Sequence, residues 1–135
     1  MSKISNKVAM RQAVLALSIT LSLAEFVEND NEIEIQLPID AEVVGGDVVV
    51  ETVFDTTGTD TIKLGDSADD DEYLSAVNIK AAARTALTLT GIRCTNALRT
   101  LKLVRTPADT DATEGQLKLT ILYVETDKAG EFQQF

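Results

Sequence analysis

The chain has no histidine, no tryptophan, one cysteine and two prolines, and only 4% of its residues are aromatic. Each shortage removes chemistry. Without histidine there is no Ser-His-Asp or Cys-His catalysis, no imidazole base and no histidine-ligated zinc. A lone cysteine, Cys94, leaves no intramolecular disulfide and no paired-thiol site. Arg93 precedes Cys94 and would favour its thiolate, but no histidine is present to pair with it. A buried structural cysteine is the simpler reading. Few aromatics leave few stacking platforms for a sugar or a base. Positive charge is also scarce, with 12 basic residues against 22 acidic ones and a formal net charge of -10. That balance argues against general nucleic-acid binding, which needs a basic surface.

What remains is a 135-residue chain, 44% hydrophobic, sized for one core without metal or disulfide support. Its most apolar stretch runs from Ala13 to Phe26 after Lys3, Lys7 and Arg11. It resembles a signal peptide's charged and apolar regions. Yet Ser18, Thr20 and Ser22 interrupt it in alternation, and no Ala-x-Ala cleavage site follows. It is also shorter than the about 20 apolar residues of a bilayer span. We therefore expect no membrane partner and synthesis in a cytoplasm.

Period two dominates the pattern. Leu15, Leu17, Ile19, Leu21 and Leu23 alternate with Ala16, Ser18, Thr20 and Ser22. This is a strand with one buried face. Glu32 to Leu37 repeats the pattern, and Pro38 stops it. Val43 to Val50 is β-branched, with Gly45-Gly46 marking a bulge or sharp bend. Asp55 to Asp60 reads as a turn, and Thr61 to Leu64 as a short strand. Gly65 to Glu72 is a polar loop. Tyr73 to Arg84 is the one helix expected, on the strength of its alanines. Strands follow at Thr85–Thr90, around Leu101 and Leu103, and from Leu117 to Tyr123. Sixteen threonines and twelve valines fit that reading, because both suit a pleated surface.

The expected fold is all-β: a single-domain, jelly-roll-like β-sandwich of about eight antiparallel strands with one short helix. An immunoglobulin-like sandwich is the second choice. The expected organisation is an N-terminal arm over 1–12, a sandwich over 13–127 and a C-terminal tail over 128–135.

The most metal-like feature is Asp66, Asp69, Asp70, Asp71 and Glu72 in one loop. Calcium takes six to eight oxygen ligands, which clustered carboxylates supply. The spacing does not match an EF-hand, and a solvated acidic turn is the plainer reading. No cofactor is expected. Charge is blocked along the chain: from Glu25 to Glu72 there are sixteen acidic residues and one basic, Lys63. From Tyr73 to Ala108 there are six basic residues and no acidic one. If the blocks map to different faces, the molecule is electrostatically two-sided and could dock by one of them. If the fold interleaves its strands, the asymmetry cancels. The interface candidates are Lys3, Lys7, Arg11, Arg99, Lys102 and Arg105, with Phe132 and Phe135 in the polar tail. The two phenylalanines would anchor a partner or fold back on their own core.

The segment Leu37-Pro38-Ile39-Asp40-Ala41-Glu42-Val43-Val44-Gly45-Gly46-Asp47-Val48-Val49-Val50-Glu51-Thr52-Val53-Phe54 resembles one in small virion proteins of tailed bacteriophages. So do Ile62-Lys63-Leu64-Gly65-Asp66, the return Asp71-Glu72-Tyr73-Leu74, Ala82-Ala83-Arg84-Thr85 and the strand Gly115–Val124. The resemblance spans roughly Leu37 to Val124. It implies a non-enzymatic jelly-roll capsid decoration or cement protein on the virion surface. Its implied partners are the major capsid protein and further copies of itself, as a homodimer or homotrimer. Related jelly rolls occur in phage tail and receptor- or carbohydrate-binding parts, which keeps a second reading open. The family offers no catalytic residues to carry over.

Overall fold

The computed structural model describes residues 13–91 and 99–125, the Arg99 side chain excepted. The alternation that opens the sequence becomes β1, Leu15–Ser22. It ends in a six-residue helix, α1, Leu23–Glu28. The Glu25 carboxylate accepts the Ser22 N–H at 3.3 Å, so a side chain satisfies a backbone donor where the strand turns into the helix. Phe26, fully buried, pins α1 to the core. The strands β2 (Glu32–Leu37), β3 (Ala41–Thr52), β4 (Asp60–Gly65) and β5 (Leu74–Asn78) follow. After them come β6 (Arg84–Ala86), β7 (Arg99–Pro107) and β8 (Gln116–Glu125).

Two four-stranded antiparallel sheets result, in the orders β1-β8-β3-β6 and β2-β7-β4-β5. The pairs β1–β8, β2–β7, β3–β6 and β4–β5 are nested one inside the next. That is the strand arrangement of a jelly roll, so the first-choice fold holds and the immunoglobulin-like order does not. Between the sheets lie Leu117, Leu119 and Ile121 of β8, Leu101 and Leu103 of β7, Ile62 and Leu64 of β4, and Ile35 and Leu37 of β2. Every one sits at the spacing of two that the pleat requires.

The glycine pair does what its position suggests. In β3, Ala41 and Val43 face the core, and then Val48 and Val50 do. The parity changes because the β3–β8 register slips between Val43 and Gly45. One inserted residue turns every later side chain to the opposite face, and the bulge absorbs it.

Two expectations are corrected. The helix expected over Tyr73–Arg84 is instead β5, a loop and β6. Ala81, Ala82 and Ala83 are exposed and offer no stripe to bury. Ile79 is fully buried, and its backbone is bound on both sides: its N–H donates to the Asp60 carbonyl at 3.1 Å and its carbonyl accepts the Phe54 N–H at 3.2 Å. Those tertiary hydrogen bonds override alanine's weak helical preference. The helix lies at α1 instead. The strand expected over Thr85–Thr90 is only Arg84–Ala86.

Candidate functional site

The blocked charges do not stay on separate faces. Glu34 of β2 lies opposite Lys102 of β7, and Glu32 approaches the Lys102 ammonium at 3.9 Å. Arg84 pairs with Asp47 at 2.6 Å across β6 and β3. Antiparallel pairing of strands distant in sequence sets the acidic first half beside the basic stretch, strand by strand.

Arg105 is the sharpest case. Expected at an interface, it is buried, with no exposed side-chain surface, and is thereby removed from the docking candidates. Its position follows from the pleat. Leu101, Leu103 and Arg105 share the inward face of β7, and Asp60, Ile62 and Leu64 share that of β4. The register places Arg105 opposite Ile62 and diagonal to Asp60. The guanidinium Nε lies 3.0 Å from each Asp60 oxygen, and Nη2 donates to Asp60 as well. Nη2 also lies 2.7 Å from Asp111 Oδ1 and 3.3 Å from Thr56 Oγ1, and Nη1 lies 3.3 Å from Asn31 Oδ1. The Thr56 hydroxyl donates in turn to Asp60. The Phe54 ring sits 5.2 Å from the guanidinium carbon, close enough for a cation–π contact, and meets Phe26 edge-on.

This cluster joins β4, β7, the turn after α1 and the loops that precede β4 and β8. Desolvation pulls the Arg105 pKa down, but the hydrogen bonds it donates to Asp60 and Asp111 outweigh it and hold the group above its ordinary value. The same guanidinium holds the Asp111 carboxyl below the usual carboxylate range. The arrangement is a buried ionic staple between elements distant in the sequence. By contrast, the buried Tyr73 hydroxyl finds no partner among the described residues.

A second tie lies at the surface. Asp55 accepts the Thr113 N–H and hydroxyl at 2.6 Å each, and the Glu114 N–H at 3.1 Å. These donors, the Thr113 side chain foremost, lower its pKa from 3.8 to about 2. A carboxylate whose folded pKa is depressed contributes stability above its unfolded pKa and loses it as pH falls towards the folded one. The melting-temperature gap between the wild type and Asp55→Asn should therefore be constant above about pH 5 and close between pH 4 and pH 2. Circular dichroism melts across that range measure it. A gap unchanged at pH 2 would show that Asp55 does not act through its charge.

The acidic loop brings three of its candidates together. One oxygen from each of Asp69, Asp70 and Asp71 lies within 4.8 Å of the others, all exposed. Asp66 is instead folded onto the turn, where its carboxylate accepts the Ala68 and Asp69 N–H groups at 2.9 and 3.0 Å. Lys63 binds Asp70 at 2.7 Å, and Ser75 donates to Asp71 at 3.2 Å. A hydrogen bond between Asp69 and Asp71 raises the first pKa and lowers the second. The loop packs so tightly over Gly65 that a Cβ there would meet the Asp69 carbonyl at 2.2 Å. These partners serve the loop's own shape, and the cluster reads as a turn.

Of the other interface candidates, Lys102 is exposed on the outer face of the β2–β7 sheet. Lys3, Lys7, Arg11, Phe132 and Phe135, and the Arg99 side chain, lie outside the described residues, as do Cys94, the arm and the tail. One open groove, lined by Thr57, Thr59, Thr61, Asn78, Lys80 and Asp109 among others, ends the β4–β5 side of the sandwich. None of its lining side chains is aromatic, so it offers a sugar no stacking face.

No family model matches the chain, and neither does any curated protein. Two solved structures are similar. A chain from the capsid of Ralstonia phage GP4 aligns over 93% of this chain and 90% of its own, at 18% identity and a TM-score of 0.49. A chain of the Cyanophage Pam1 capsid asymmetric unit aligns over 92% of this chain and 93% of its own, at 13% identity. The TM-score of 0.71 with the Pam1 chain makes this a shared fold along nearly the whole length, without a matching sequence.

Proposed function

We propose that this chain is a structural component of a phage virion that binds the outside of the major capsid protein shell and stabilises the head as a decoration or cement protein. The observation that carries the reading is the end-to-end likeness to a chain of a capsid asymmetric unit. The size match matters, because the likeness spans 92% of this chain and 93% of the other. The physical character of the molecule supports it. A jelly roll stapled internally by Arg105 and tied at its loops by Asp55 is a rigid block, suited to filling a position in a lattice. The polar ends over 1–12 and 128–135 are the expected grips on neighbouring subunits. In this reading the protein is made in the host cytoplasm and acts without catalysis, cofactor or nucleic acid.

The test is direct. Expanded shells assembled without this chain are mixed with it and sedimented. The chain should pellet with shells at saturating stoichiometry, and loaded shells should resist heat better than bare ones. Failure to bind expanded shells, or equal stability of loaded and bare heads, would overturn the reading.

A further inference from the structure

Jelly rolls leave four sheet edges, and three of them here are blunted. The β2 edge carries Glu32 and Glu34, both exposed. The β5 edge is five residues long, slips register against β4 between Ile62 and Leu64, and has Ala76 at a φ of 47°. The β6 edge is three residues with Arg84 on it. Short strands, irregularities and charges are the usual protections against edge-to-edge pairing.

β1 has none of them. Its eight residues, LALSITLS, contain no charge and no proline. All eight pair with β8 in an unbroken register, and among the described residues nothing pairs with its other side. The apolar row on this edge is only partly covered. Leu15 is 41% exposed, Val14 beside it is 58% exposed, and Leu17 and Ile19 are half-buried.

We propose that β1 pairs antiparallel with β1 of a second copy across a two-fold axis, joining two four-stranded sheets into one of eight. Charge selects this occupant. A self-paired strand sets its own residues opposite one another, so a self-pairing β2 would confront glutamates, whereas β1 confronts none. Pleat parity limits the register, because residues directly opposite must lie on one face. Centring the axis on Ser18 meets that condition and keeps Leu15 inside the seam. Leu15 then faces Leu21 and Leu17 faces Ile19 on the core side. Ala16 faces Thr20 and Ser18 faces itself on the outer side.

The ends also match. The N-terminal end of β1 carries the exposed Val14. Just past its C-terminal end lies a shallow depression lined by Leu23, Ala24, Val27, Glu28 and Thr113, with Val27 itself 56% exposed. A two-fold axis brings each copy's protruding end beside the other's depression, as a self-complementary interface requires. This inference does not depend on the shell-docking reading, because its test uses the isolated chain.

Light scattering on the full chain over a concentration series should give twice the chain mass. Ser18→Lys, on the exposed outer face, sets like charges opposite one another at the axis. It should return the mass to that of one chain while the melting temperature of the monomer is kept. A cysteine at Ser18→Cys should be joined to its own copy by a short bismaleimide faster than the wild type, which has only Cys94, and faster than Thr106→Cys on the other sheet. Three results would overturn the seam: a wild type that stays monomeric or forms a trimer, a Ser18→Lys variant that still doubles, or Ser18→Cys that couples no faster than Thr106→Cys.

Discussion

Arg105→Met is expected to destabilise the protein by about 3–5 kcal/mol, because removing one partner of a buried ion pair leaves an uncompensated charge in the interior. Asp60 is fully buried, and the guanidinium is the cation that reaches it. The loss extends beyond one pair. Asp111, Thr56 and Asn31 also lose their shared donor, and the Phe54 ring loses the cation over its face. For a chain of this size the melting temperature should fall by more than about 10 °C. Asp60→Leu combined with Arg105→Met removes both charges and should be more stable than Arg105→Met alone, since well-packed apolar replacements of a buried pair are often neutral. Thermal and urea unfolding of the two single variants and the double variant complete the cycle. A cost for Arg105→Met below about 0.5 kcal/mol, the range of ordinary surface changes, would show that the cluster does not hold the fold.

The sequence already carried the sign of this cluster. Leu101-x-Leu103-x-Arg105 and Asp60-x-Ile62-x-Leu64 each extend an inward row by a charge of opposite sign. Period two alone therefore puts both charges inside. Composition points the other way, since an arginine in a basic stretch and an aspartate in a turn both read as surface. What one sequence cannot supply is the register. That Arg105 lies opposite Ile62, one step diagonal from Asp60, comes from the pairing of β4 with β7. The same gap explains the charge blocks. Pairing across the chain mixes them, and no local pattern announces which strand becomes whose neighbour. Where a signal was local it could be read: the alternation of β1, β2 and β8, and the glycine bulge of β3. The Tyr73–Arg84 stretch failed because its deciding hydrogen bonds run from Ile79 to Asp60 and Phe54, about twenty residues away. Of the proposed β1 seam, the feature that reads best is an absence: β1 lacks a charge anywhere along its edge.

Gly46→Ala is the second large effect expected, and the bulge explains it. Gly46 has a φ of 135°, a region that side chains rarely enter, and a Cβ there would meet the Thr120 carbonyl oxygen at 2.3 Å. That oxygen belongs to the backbone of β8, the central neighbour of both β1 and β3, and it cannot step aside as a side chain would. Backbone strain of about 1–3 kcal/mol adds to an overpacking cost of similar size, so a loss of about 3 kcal/mol or more is expected. Two neighbours separate the causes. Gly91→Ala places a Cβ at a φ of 74° with nothing among the described residues within 4 Å, so it carries the conformational cost alone. Gly45→Ala has an ordinary φ and meets only the flexible Leu122 tip, at 3.3 Å, so it should cost least. The expected order of destabilisation in denaturant unfolding is Gly46, then Gly91, then Gly45. If Gly46→Ala proved no worse than Gly91→Ala, the close approach of β3 to β8 would not be what reserves this position for glycine. The parity switch that turns Val48 and Val50 into the core would then rest on Gly46 only for its dihedral freedom.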